Sequence, residues 1–76
     1  MTNKLFSERL NLELDKIDLP KPLDERIEAF SKLMHIPRFK AEAMLNGHVP
    51  SEASLLDNVA QELEVTSDWL LGKDSQ

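Results

Sequence analysis

"MHIPRFKAEAMLNG", residues 34–47, decides how the rest of this 76-residue chain is read. His35, Ile36 and Pro37 interrupt any continuous helix, because proline lacks an amide donor and disfavours helix in the residue before it. Asn46-Gly47 then closes whatever follows, as an expected helix C-terminal signal. Between these marks lies a short helix over about 37–45. Placing Ala41, Met44 and Leu45 inward fixes its wheel at about 100° per residue, which turns Phe39 and Ala43 away from the core. The stretch reads as a turn followed by a helix with an exposed outer face.

Charge sets this region apart. The chain carries 9 Lys and Arg against 14 Asp and Glu, a formal net charge of −5. Residues 26–48 hold four basic and two acidic groups (+2), whereas residues 1–25 sum to −2 and residues 49–76 to −5. The middle third alone is basic, and both histidines lie in it.

Working outward, the periodicity predicts helices on both sides. Residues 23–34 place Leu23, Ile27, Phe30 and Met34 on one face. Before them "DLPKP" breaks the chain, and residues 3–17 carry a stripe of Phe6, Leu10, Leu14 and Ile17 that Thr2 or Asn3 can cap. Leu5 and Leu12 fall off that stripe. After the "HVP" loop, Ser51 can cap a fourth helix whose Leu55, Leu56, Val59, Ala60 and Leu63 face the core. Thr66 can cap a short fifth helix, with Val65 and Leu70 as a hydrophobic staple, Asp68 at the positive end of its dipole and Gly72 at its end.

Composition excludes several function classes. A chain of this length is one small domain, residues 1–76, with a core over about 3–72. Hydrophobic residues make up 41% and charged residues 30%, as in an ordinary soluble globule, and no cysteine is present to staple it. No apolar run approaches the roughly 18 to 20 residues of a membrane span, and "MTNKLFSERLN" lacks a signal peptide's apolar region, so a cytoplasmic location is expected. The two histidines lie 13 positions apart with no matched carboxylate spacing, so no metal site is expected. Only two glycines are present, too few for a phosphate-cradling loop. Nor is any serine, histidine and acid set out for nucleophilic catalysis. No enzyme activity, cofactor or small-molecule substrate is expected.

From "LFSERLNLELDKIDLP" through "AFSKLMHIPRFKAEAMLNG" to "LLDNVAQELEVTSDWLLG", about residues 5–72, the chain resembles the Cro/CI repressor-type helix-turn-helix DNA-binding domains of phage, prophage and small bacterial transcription regulators. The most specific parts are the "SKLMHI" turn, the closing "LNG" and the ending "VTSDWLLG". The resemblance implies a compact all-α fold of five helices, with the helix-turn-helix at about 23–47. It also implies a double-stranded DNA operator as partner, read in the major groove by the helix at about 37–45, and a homodimer. The positions matching the family's base readers are Arg38, Phe39, Lys40 and Ala43. Arg38 suits guanine O6 and N7, Phe39 a thymine methyl, and Lys40 either a base or a phosphate. Arg26, Lys32, Asn46 and His48 are candidates for phosphate contacts.

Several positions depart from the family pattern. His35 stands where the family usually has Gly, in a turn needing a left-handed backbone. Pro37 replaces a Ser or Thr cap, Ala43 a long polar side chain, and Glu64 a Gly that often ends the fourth helix. Glu42 sets an acid beside the reading face. Phe39 is open to three readings: a thymine contact, a protein-interaction anchor, or a ring folded back over Met34 or His35. Trp69 is expected in the core, with a dimer contact as the alternative. The alternative function is a protein-interaction module, an antitoxin or accessory subunit, in which Phe39, Leu5, Leu12 and Trp69 form the contact surface. Leu5 and Leu12 equally suit a homodimer seam.

Overall fold

The computed structural model describes residues 3–73, and among them every regular element is a helix. They are α1 (Lys4–Lys16), α2 (Leu23–Met34), α3 (Arg38–Leu45), α4 (Ala53–Glu62) and α5 (Ser67–Leu71). Helix α3 packs chiefly on α2, and α1 lies against both α3 and α5, while α4 also packs on α5. The radius of gyration is 11.3 Å, close to the roughly 11 Å of a compact chain this long.

The core follows the predicted stripes with two corrections. Phe6, Leu10 and Leu14 of α1, Ile27 and Phe30 of α2, Ala41, Met44 and Leu45 of α3, Leu56, Val59 and Ala60 of α4, Leu63 and Leu70 are buried in one cluster. Met34, Leu55, Val65 and Trp69 pack on its edge. Ile17, expected on the α1 stripe, is 47% exposed, because it falls at the C-cap where the helical path has ended. Leu23 is 51% exposed, since the first turn of α2 overhangs the core.

Capping is met at two of the expected sites. Asn3 caps α1 by accepting from the Phe6 amide at 3.0 Å, and Thr66 caps α5 by accepting from the Trp69 amide at 3.1 Å. Thr2 lies outside the described residues. Ser51 does not cap α4: the N-cap position is Glu52, with no side-chain bond to the helix. Pro37 likewise precedes α3 and gives it no capping oxygen, so α3 begins one residue later than the periodicity suggests.

The chain reversals use left-handed backbone at His35, with φ 57°, and Glu64, with φ 60°, and also at Asp18, with φ 62°, which the sequence reading did not anticipate. Gly47 has φ 102°, and a Cβ there would lie 3.0 Å from the Asn3 carbonyl oxygen. That closeness has a purpose, because the Asn3 amide donates to the Gly47 carbonyl at 2.8 Å and its side-chain amide to the Leu71 carbonyl at 3.3 Å. One residue thus ties the start of α1 to the ends of α3 and α5.

Candidate nucleic-acid interface

Helix α3 is held from behind by Ala41, Met44 and Leu45, so its remaining positions face outward. Phe39 is the most exposed large apolar side chain among the described residues, at 69%. It does not fold back over Met34 or His35. Arg38 is exposed, while Lys40 and Ala43 are half-buried on the same helix. The three-residue turn between α2 and α3 sets this face: the His35 amide donates to the Lys32 carbonyl and the Ile36 amide to the Ser31 carbonyl at 3.0 Å, closing α2 around the left-handed His35. Asn46 and His48 are exposed at the far end of α3, and Lys32 on α2.

Arg26 must be removed from the phosphate-contacting candidates. It is 5% exposed, and its guanidinium turns inward toward the α1–α2 connection. Its Nε donates to the Pro20 carbonyl at 2.8 Å, and its Nη1 to the Asn11 carbonyl and side-chain oxygen at 3.2 and 3.1 Å. Its Nη2 donates to Asp15 and to the Leu19 carbonyl. A side chain so occupied is not offered to solvent. No sequence signal distinguishes it from an exposed basic residue beside α2's acids.

The remaining cations are matched by carboxylates. Arg38 Nη1 donates to Glu28 Oε1 at 2.7 Å, and Lys32 Nζ lies 3.5 Å from Glu28 Oε2. Lys40 Nζ donates to Glu52 Oε1 at 3.0 Å. Hydrogen bonds from Arg38 first, and then from Lys32, hold the Glu28 carboxyl below its ordinary pKa of 4.5. Counting Glu42 on α3, the surface sets three cations, Lys32, Arg38 and Lys40, against three carboxylates. This revises the sequence reading of a basic middle third: Arg26 leaves the surface, and Glu52 arrives from a distant part of the chain. The Glu28–Lys32 pair was legible as an i,i+4 spacing; the other two pairs cross elements and were not.

A groove of about 250 Å³ runs beside α3, lined by Lys40, Ala43, Met44, His48, Glu52 and Leu55 among others. It is smaller than the roughly 300–1,000 Å³ of ligand pockets. Among the described residues no group of three or more His, Asp or Glu is placed to hold a metal ion, and no helix is long and apolar enough to cross a membrane.

Comparison with protein-family models, curated proteins and solved structures finds no match for this chain. The reading of the surface therefore rests on its geometry and on the motifs above.

The suggested contact residues on α1 and α5 differ in how they are covered. Leu12 is exposed at 49%. Leu5 is partly covered, because its side chain occupies the space where a Cβ on Gly72 would sit. Trp69 is half-buried on the core, and its ring is covered by the Arg9 guanidinium, 4.8 Å from the centroid.

Proposed function

We propose that this chain is a sequence-selective, repressor-like DNA-binding transcription regulator of Cro/CI type, working in the cytoplasm as a homodimer on a double-stranded operator. The observation that carries the reading is the α2–turn–α3 unit. A left-handed His35 joins two packed helices, and the second keeps Arg38, Phe39 and Lys40 at its exposed N-terminal end. That is the end a recognition helix presents to base edges. Arg38 then reads guanine, Phe39 lies on a thymine methyl and Ala43 allows close approach. Lys32, Lys40, Asn46 and His48 hold phosphates and fix the register.

Enrichment from a random oligonucleotide pool, followed by fluorescence anisotropy over a salt series, tests this. A selected duplex should bind at near-physiological salt and lose about 1–3 kcal/mol on Arg38→Ala. If no sequence is enriched and Arg38→Ala changes nothing, the proposal fails.

A second reading, a protein-interaction module on the same fold, is favoured by one observation. Phe39 is a bare aromatic anchor among charges that are already paired, which is how the centre of a protein contact is often built. An antitoxin or accessory subunit of this kind would lose its partner on Phe39→Ala and keep it on Arg38→Ala.

A further inference from the structure

The outward cations of α3 are engaged before any partner arrives. Arg38 is held by Glu28 at 2.7 Å and Lys40 by Glu52 at 3.0 Å, so the two side chains best placed to meet DNA are each bridged to a different neighbouring segment. Glu28 is itself shared with Lys32, so it remains anchored when Arg38 departs. All three pairs are solvent-accessible, and exchange of partners is open to them.

We infer that Glu28 and Glu52 are positioning residues that compete with DNA for Arg38 and Lys40, so that every duplex must displace a carboxylate before it gains either cation. The inference rests on the DNA-binding reading above. A phosphate offers Arg38 what Glu28 Oε1 already supplies, an anionic oxygen, so the exchange gains little. Guanine O6 and N7 lie on an edge with no net charge and must likewise displace a charge-assisted bond, after which the vacated Glu28 falls back on Lys32. On any sequence the two carboxylates stay near the DNA and repel its phosphates, which reduces the counterion release that drives non-specific association. The penalty therefore falls on all DNA alike and keeps weak, non-specific association low. This gives a use to what otherwise looks like a defect, a reading surface with as many acids as bases.

The test is duplex binding by the native chain, Glu28→Gln, Glu52→Gln and the double variant. Each is titrated against the selected duplex and a scrambled one across a salt series, with a thermal melt of each protein. Each single substitution should tighten both the scrambled and the selected duplex by a similar factor, about two- to five-fold. The salt dependence should steepen by about one unit of slope per carboxylate removed. A residue that merely braced α2 against α3 would shift the melt and leave the salt slope alone. Unchanged affinity and slope, with the selected duplex still bound by the native chain, overturns the inference and leaves the proposed function standing. Tightening of one duplex alone also overturns the inference. If neither the native chain nor any variant retains a duplex, both proposals fall.

Discussion

Arg26 is drawn inward because a guanidinium with five N–H donors answers the Leu19 and Pro20 carbonyls before α2 and the Asn11 carbonyl of α1 at once. Asp15 completes the arrangement from α1. The hydrogen bond from Arg26 is the main cause that lowers the Asp15 pKa from its ordinary 3.8, with partial desolvation opposing it and the nearby Arg26 and Lys21 charges adding to it. A carboxyl whose folded pKa is depressed contributes stability that is complete above its unfolded pKa and lost as pH falls through the folded value. Asp15 and Glu28 both have this sign. The thermal midpoint, followed by circular dichroism, should stay level from about pH 7 to about pH 5 and fall below about pH 4. Asp15→Asn should lower the midpoint near neutrality and flatten the acid decline. An acid limb identical in the variant and the native chain would show that Asp15 contributes nothing there.

At the scale of elements, the turn between α2 and α3 is where the chain gives up local stability for geometry. His35 is held at φ 57°, ψ 47°, a region that costs an ordinary L-residue about 1–2 kcal/mol. His35→Gly removes that cost and adds the smaller entropy of an unfolded glycine. A net stabilisation of about 0.5–1 kcal/mol is expected from urea denaturation. A loss of stability in His35→Gly would mean that the imidazole makes a contribution larger than its backbone strain. The end of α3 has less latitude than this turn, since Gly47 combines positive φ with a position where a Cβ would lie only 3.0 Å from the Asn3 carbonyl oxygen. Helix α3 is thus placed by constraints at both ends, although its own start has no capping side chain.

At the scale of the whole molecule, the candidate reading surface and the exposed side of α1 point in different directions of use. For the proposed homodimer, exposed Leu12 of α1 is the candidate apolar contact, since the Leu5 side chain rests against Gly72 and the Trp69 ring is covered by Arg9. Sedimentation equilibrium should find a dimer, and Leu12→Glu should weaken it about ten-fold or more while leaving the helical fold intact. A dimer that survives Leu12→Glu unchanged rules out this seam.

The number of helices, their approximate limits, most of the core and the left-handed positions at His35 and Glu64 were legible in the sequence, because each depends on neighbours within a turn or two. Periodicity, caps and turn residues are local signals, and they failed at Ile17, where the stripe ran past the end of α1, at Leu23, exposed on the first turn of α2, at the left-handed Asp18, and at Ser51, where the cap was displaced by one residue. The electrostatic character of the surface was not local. Whether Arg26 faces water or the Pro20 carbonyl, and whether Lys40 stands free or meets Glu52, depends on which distant segments the packed core brings within 3 to 4 Å of them. A sum of charges along the chain cannot register that. Sequence determined that an exposed helix follows a tight turn; only tertiary structure decided how many of the charges on it remain uncompensated, because ion pairing is set by distance in space and not by position along the chain.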